Sequence, residues 1–239
     1  MKQYEAVIQT LEKLGGQATL AELYTEVMKV KGCKWETKTP FASIRRIVQT
    51  RSEIFKVRPG LWALRSYKTK LGLSEQVDTS VKARAQTHSY YQGLLVVIGN
   101  LRGFSTFVPN QDKNKMFVHK PLGEMRTLHE LPHFTHDYLV KKSGSVDVIW
   151  FNNRKMPNSF FEVEHSTDIQ NSLLKFNELQ DFFTRMVIVA HESKRAEFQQ
   201  KLHYGAFNEI NGRVSFLEYK TLVKQYEYEV LKTKQPFVV

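Results

Sequence analysis

The first fifty residues contain three stretches in which apolar side chains recur every three or four positions, the spacing of an amphipathic helix. The first stretch, residues 4–14, is stopped by Gly15-Gly16. In the second, Thr19 and Glu22 have the spacing of a capping box. The third opens with Thr39-Pro40, a cap followed by proline in the first turn. The pattern predicts three helices.

Residues 54–64 then predict two short strands around Arg58-Pro59-Gly60, which are turn-forming residues. Three helices followed by a hairpin are the order of a winged helix, whose third helix enters the major groove of DNA. The residues expected to contact DNA there are Arg45, Arg46, Gln49 and Arg58. The segment resembles the HARE-HTH family of winged helices through Gly15-Gly16, 19–23, Thr39-Pro40 and 55–64. That resemblance implies DNA binding. A solvated helix face or a protein-binding winged helix stays open as an alternative.

Three segments divide the chain: a winged helix at 1–66, a polar linker at 67–87 and a second domain at 88–239. The second domain opens with a helix predicted over 88–103. At its start His88, Tyr90, Tyr91 and Gln92 form a polar-aromatic cluster. Tyr90 and Gln92 are candidate DNA contacts, and core packing is the alternative for the same cluster.

A hairpin predicted over 146–165 carries three carboxylates, on Asp147, Glu162 and Glu164. Glu162 and Glu164 are two apart on a strand and so share a face, and antiparallel pairing would bring Asp147 beside them. A one-residue slip would move Asp147 to the other face. Converging carboxylates repel each other unless a cation lies between them, and oxygen ligands suit Mg²⁺ or Mn²⁺. A hairpin with a charged outer face is the other interpretation.

A helix from Asp168, a strand at 186–190, a helix at 193–204 and a strand at 214–219 follow. The fold class is therefore α/β (α+β): a winged helix plus a mixed sheet flanked by helices. The second domain, over about 88–220, resembles the PD-(D/E)xK nuclease superfamily, which includes most restriction endonucleases.

The resemblance implies that Asp147 and Glu162 bind a metal together with the carbonyl of Val163. Glu164 stands where that motif normally has lysine, and no proline precedes Asp147. His165 and Lys175 are candidates for the missing proton acceptor or positive charge, with structural roles as the alternative. Lys175 is also a candidate DNA contact. Asp147, Glu162, Glu164 and His165 are the expected catalytic residues.

The net charge of +11 lies entirely in residues 1–146, since residues 147–239 are neutral. A basic excess favours polyanionic partners such as double-stranded DNA. The one cysteine, Cys33, excludes a disulfide framework and a multi-cysteine zinc site, and predicts a reducing, cytoplasmic location. No secretion signal or membrane-spanning run is found in the sequence, and no small-molecule cofactor is expected.

The sequence therefore predicts a Mg²⁺- or Mn²⁺-dependent DNA endonuclease of restriction type. Because one active site cuts one strand, a double-strand break requires a homodimer or two sequential events. The main alternative is a non-catalytic DNA-binding regulator on a degenerate nuclease core, favoured by Glu164. A second domain that docks other proteins is a third hypothesis.

Overall fold

A computed structural model describes residues 1–73, 81–165 and 168–233 of the chain, without the side chains of 81–83. The chain divides into two compact units. The N-terminal unit comprises residues 1–78 and 230–239, and the second unit comprises residues 79–229. No described helix is both long and apolar enough to cross a membrane.

The N-terminal unit has three helices and a small antiparallel sheet in the order β1-β3-β2. Its elements are α1 (Gln3–Lys13), β1 (Gln17–Thr19), α2 (Leu20–Glu26), α3 (Pro40–Thr50), β2 (Ile54–Arg58), β3 (Leu61–Leu64) and α4 (Lys68–Leu71). The three predicted helices and the hairpin are present, and β1 is an additional strand that the sequence did not predict. Strand β1 is only three residues long, which is too short for a periodic signal.

Local sequence signals account for the starts of α2 and α3. The Thr19 hydroxyl accepts from the backbone N–H of Glu22, and the Glu22 carboxylate accepts from the backbone N–H of Thr19, so the capping box is formed. Pro40 opens α3, although the Thr39 side chain makes no cap hydrogen bond. The apolar spacing of the third helix predicts that Phe41 faces inward, but Phe41 is 37% exposed and lies against the ring of Tyr24.

The second unit is built on a five-stranded mixed sheet in the order β10-β9-β8-β7-β4. Strands β8, β9 and β10 are parallel, while β7 is antiparallel to β8 and β4. Its elements are α5 (Val81–Leu101), β4 (Ser105–Phe107), β5 (Met116–Phe117), β6 (Lys120–Pro121), α6 (Leu122–Met125), α7 (Asp137–Ser143), β7 (Val148–Phe151), β8 (Pro157–Glu164), α8 (Ile169–Asn177), β9 (Arg185–Ala190), α9 (Arg195–Leu202), β10 (Val214–Glu218) and α10 (Tyr219–Lys232). The predicted class, helices with a mixed sheet, is confirmed.

Several boundaries differ from the predictions. Helix α5 begins at Val81, so residues 81–87 of the predicted linker are helical, while residues 74–80 lie outside the described residues. The helical spacing of apolar residues after Asp168 extends through Leu179 to Phe183, which predicts a longer helix, but α8 ends at Asn177. Of those two, Leu179 is buried and Phe183 is 97% exposed, because the chain turns between α8 and β9.

Helix α5 packs unusually close to its neighbours, because two glycines face them. A Cβ on Gly93 would fall 2.2 Å from the Phe117 ring, and one on Gly99 would fall 2.6 Å from both Thr106 and Trp150. The Trp150 indole N–H donates to the Leu95 carbonyl at 3.1 Å. These contacts fix the position of α5, whose middle turns carry His88 and Gln92.

Candidate active site

Asp147 lies immediately before β7, at the point where α5, β8 and the loop after β4 meet. Val148 pairs with Phe161, and the same register places Asp147 opposite Glu162. The Asp147 backbone N–H donates to Glu162 Oε1 at 3.2 Å, and the Val163 N–H donates to Asp147 Oδ2 at 2.8 Å. The structure therefore brings Asp147 beside the Glu162–Glu164 segment, in the register that the sequence required.

On one side of Asp147, which we call the strand side, lie Glu162, Glu164, Ser172 and Lys175. Glu162 and Glu164 are 2% and 5% exposed, and the Ser172 hydroxyl lies within hydrogen-bond distance of both carboxylates, which share its one hydrogen. The Lys175 ammonium lies 2.7 Å from Glu162 Oε2 and also donates to the Ser145 carbonyl at 3.1 Å. Helix α8 carries both partners, since Ser172 and Lys175 are three apart and share a helix face.

The charges of the strand side depend on one another. Burial raises the pKa of Glu162 well above its usual value, and the nearby Asp147 carboxylate raises it further. Lys175 opposes both effects through its charge and its hydrogen bond. Burial on its own would lower the pKa of Lys175, but the Glu162 carboxylate outweighs it, and the Lys175 pKa is raised. The sequence predicted that a cation must accompany these carboxylates, and on this side Lys175 is one such cation.

On the other side, which we call the helix side, lie His88, Gln92 and Asp112. His88 Nε2 is 3.0 Å from Asp147 Oδ2, and His88 Nδ1 is 3.1 Å from Gln92 Oε1. The Gln92 amide N–H groups donate to Asp112 Oδ2 at 2.7 Å and to the Asp147 carbonyl at 3.2 Å. Asp112 is 1% exposed, and its other oxygen lies 2.6 Å from the Lys115 ammonium.

The helix side has the donors of a metal site. One ligand atom each from His88, Asp112 and Asp147 lies within 4.8 Å of the others. Burial would lower the pKa of His88, but the hydrogen bond and the charge of Asp147 outweigh it and raise that pKa. A cavity of about 600 Å³ is lined in part by Asn110, Gln111 and Ser145, which are close in sequence to Asp112 and Asp147.

The other predicted site residues differ in how far they are exposed to solvent. Tyr90 and Gln92, predicted to contact DNA, are 2% and 0% exposed and so cannot present a contact surface. His165 is exposed directly after β8. On α3, Arg45, Arg46 and Gln49 are exposed, and Arg58 is partly buried at the end of β2. Arg45 also donates to the Tyr24 hydroxyl at 3.1 Å.

Sequence reasoning missed Asp112 and Ser172. Asp112 lies in the loop after β4, a stretch without hydrophobic periodicity, and only the fold carries it to Asp147. Ser172 is a common residue inside an apolar helix face and gives no signal of its own. His88 was singled out only as part of a polar-aromatic cluster, since nothing in the sequence ties it to Asp147, 59 residues away.

Comparison with known proteins shows the family of the second unit. The family model described as "Type II restriction enzyme NmeDI C-terminal domain" matches residues 71–235. The chain belongs to this family. The match includes the whole second unit, with both sides of Asp147, and leaves residues 1–70 outside.

One relative is the type II restriction enzyme NmeDI of Neisseria meningitidis serogroup C. It is 27% identical over 146 residues, which are 57% of this chain and 41% of the relative. The chain thus matches about two fifths of the length of that enzyme. No solved structure matched the chain.

Proposed function

We propose that this chain is a divalent-metal-dependent DNA endonuclease of restriction type, with its active site around Asp147. The observation that carries the proposal is the convergence of Asp112, Asp147 and Glu162 with His88 and Lys175 in a unit of a type II restriction enzyme family. Carboxylates, an imidazole and a lysine at one buried edge are the groups that phosphodiester hydrolysis uses.

The residues of the helix side fit a divalent cation. One ligand atom each from His88, Asp112 and Asp147 lies within 4.8 Å of the others, and Asp112 and Asp147 are both largely removed from solvent. Carboxylates suit Mg²⁺ or Mn²⁺, and the imidazole adds affinity for Mn²⁺ and later transition metals. When bound, such an ion would lower the pKa of a bound water and offset negative charge on the phosphate.

The strand side would hold this arrangement in place and supply charge. Glu162 Oε1 accepts from the Asp147 N–H, so Glu162 orients the backbone that carries Asp147. Lys175 stands 2.7 Å from Glu162 and supplies the positive charge that the motif lacks at position 164. Glu162 and Val163, which the sequence predicted as metal ligands, would lie next to the metal ion and support Asp147. Glu164 and His165 remain proposed catalytic residues.

The N-terminal unit would bind double-stranded DNA as a winged helix. Arg45, Arg46 and Gln49 lie exposed along α3, and Arg58 lies at the end of β2. An exposed arginine row on the third helix suits contacts to phosphates and base edges. Cleavage of both strands would require two copies of the chain or two successive events.

One observation favours the alternative, a non-catalytic DNA-binding regulator. Glu162 is hydrogen-bonded by Lys175, Ser172 and the Asp147 N–H, so its buried charge is satisfied without a metal ion. A degenerate nuclease core would show such internal compensation, and it would bind DNA without cutting it.

The test is cleavage of plasmid and phage DNA, modified and unmodified, with Mg²⁺, Mn²⁺ or neither. Asp147→Asn and Glu162→Gln are compared with Asp181→Asn, which neutralises an exposed carboxylate of the same unit. Metal-dependent cutting that only the first two variants lose would support the nuclease. DNA binding without cutting on every substrate would favour the regulator.

A further inference from the structure

Gln92 is completely buried, yet every polar atom of its side chain meets a group of the helix side. Nε2 faces two oxygen acceptors, Asp112 Oδ2 and the Asp147 carbonyl. The reversed amide would place an oxygen against both of them, so the contacts determine which end of the amide is the donor. Gln92 Oε1 is therefore the atom that faces His88.

This orientation fixes the tautomer of His88. Gln92 Oε1 can only accept, and it lies 3.1 Å from His88 Nδ1, so Nδ1 must carry the hydrogen. In the neutral ring, Nε2 then presents a lone pair. That lone pair faces a second acceptor, Asp147 Oδ2, at 3.0 Å. The contact therefore needs a positive charge, either a proton on Nε2, which makes the ring an imidazolium, or a metal ion that takes the place of that proton.

We propose that Gln92 is a positioning residue that sets His88 to present Nε2, and Asp112 to present its carboxylate, to a divalent cation at Asp147. The inference rests on the metal site of the proposed function. The one amide connects three segments: the middle of α5, the loop of Asp112 and the residue that precedes β7. Hydrogen bonds of this kind fix the ring orientation of a metal-binding histidine and raise its basicity as a ligand.

The affinity test uses Mn²⁺ and titration calorimetry on the full chain. Gln92→Met keeps the length and apolar volume of the side chain but removes its donors and acceptor. We expect Mn²⁺ affinity to fall about 10-fold to 100-fold, the usual effect of removing such a partner. Asn100→Leu is the matched control, since Asn100 is an amide of the same helix that bonds Met125 and Thr106, away from Asp147. The control should keep wild-type affinity.

A second variant separates the two roles of the amide. Gln92→Glu retains an acceptor for the His88 Nδ1–H but turns an oxygen towards Asp112 and the Asp147 carbonyl. It should preserve the His88 tautomer while weakening Mn²⁺ binding. Thermal unfolding of each variant checks that the fold is retained.

The tautomer itself is measured on the wild-type chain, so that no variant is needed. Nitrogen-15 NMR of His88 with bound Cd²⁺, a diamagnetic ion, should show a protonated Nδ1 and a metal-bound Nε2. A proton on Nε2 in that complex, or Gln92→Met with unchanged Mn²⁺ affinity, would overturn the role of Gln92. Absence of both metal binding and cleavage in the wild type would instead overturn the proposed function, and the inference with it.

Discussion

Around Asp147, the strand side and the helix side treat buried charge differently. On the strand side, Lys175 pairs with Glu162, and one serine hydroxyl serves both glutamates. On the helix side, Asp112 is paired with Lys115, but the amide of Gln92 leaves His88 Nε2 facing Asp147 Oδ2 across 3.0 Å. The strand side is compensated by a lysine that belongs to it, whereas the His88–Asp147 contact of the helix side can hold either a proton or a metal ion.

This difference indicates at which side of Asp147 a metal ion would bind most favourably. The Glu162 carboxylate already has a lysine and two hydrogen bonds that offset part of its desolvation, and Lys175 occupies the place of a further cation. On the helix side a metal ion needs only to replace the exchangeable proton between His88 and Asp147. The expected ligands are thus Asp147 with its helix-side neighbours, and the strand side acts as the support. Four changes test this division, in order of decreasing expected effect.

The largest effect is expected from Asp147→Asn, because Asp147 belongs to both sides. Cleavage should fall about 100-fold or more, the size of losing one well-placed electrostatic group. Mn²⁺ affinity should fall with it, because the amide replaces an anionic ligand. Both are measured by plasmid cleavage rates and calorimetry. Full cleavage by this variant would contradict any active site built on Asp147.

Lys175→Met should remove the ion pair of the strand side and leave the helix side unchanged. It leaves the Glu162 carboxylate buried without the Lys175 ammonium, which should lower the free energy of unfolding by about 3 kcal/mol. This is the low end of the range for a broken buried ion pair, because the Lys175 side chain is 35% exposed. Because the pKa of Glu162 is raised in the folded protein, that state binds the proton more tightly, and stability falls as pH rises above the usual value of 4.5. Without Lys175 the pKa of Glu162 rises further, and stability falls over a wider pH range. The loss of unfolding free energy relative to the wild type should therefore be larger at neutral pH than near pH 5.

Urea unfolding at the two pH values measures that deficit. Glu162→Gln added to Lys175→Met is the control, since an uncharged partner needs no ammonium and should restore most of the stability at neutral pH. A deficit that is the same at both pH values would mean that Glu162 is not the group left unpaired.

Ser172→Ala should have a smaller effect on the same side. It leaves one oxygen of Glu162 and one of Glu164 without the shared hydroxyl, at about 1–2 kcal/mol of unfolding free energy. Ser143→Ala, which removes a local helical hydrogen bond to Val140, is the comparison. Equal losses in the two variants would show that Ser172 contributes no more than an ordinary helix serine, and Mn²⁺ affinity should be unchanged in both.

Arg46→Ala in the N-terminal unit should leave both sides of Asp147 unchanged. If Arg46 contacts a phosphate, DNA affinity weakens on every sequence, and the slope of log affinity against log salt falls by about one. Fluorescence anisotropy at several salt concentrations measures the slope, and Glu53→Gln is a charge-changing control on the same unit. An unchanged slope would remove Arg46 from the DNA-binding surface.

The sequence predicted the fold class because its signals are local. The capping box of Thr19, the proline that opens α3 and the period of two in residues 160–164 each depend on neighbours within a few positions. The side-chain period of a strand allows only alternate registers, so the sequence placed Asp147 beside Glu162 or Glu164, and the structure sets it opposite Glu162. Helix ends were less predictable, as Phe183 shows, because an apolar residue beyond a turn still fits the period.

Packing changed the assignment of Gln92 and favoured one of the two roles predicted for Lys175. Gln92 has the polarity of a DNA contact, and only the close approach of α5, allowed by Gly93 and Gly99, buries it. Lys175 was predicted as a DNA contact or a source of positive charge, and its ion pair with Glu162 accords with the second role. Asp112 had no signal, because a carboxylate in an irregular basic loop resembles any exposed acid.

Caps and strand alternation act over a few residues, so the sequence predicted the three N-terminal helices, the hairpin after them and the strand pair of Asp147, Glu162 and Glu164, but not the short strand β1. What surrounds those carboxylates depends on tertiary packing. His88, Gln92 and Asp112 reach Asp147 across 59, 55 and 35 residues of chain, and Lys175 reaches Glu162 from a separate helix. Such contacts depend on how helices pack on the sheet, and no local pattern encodes that.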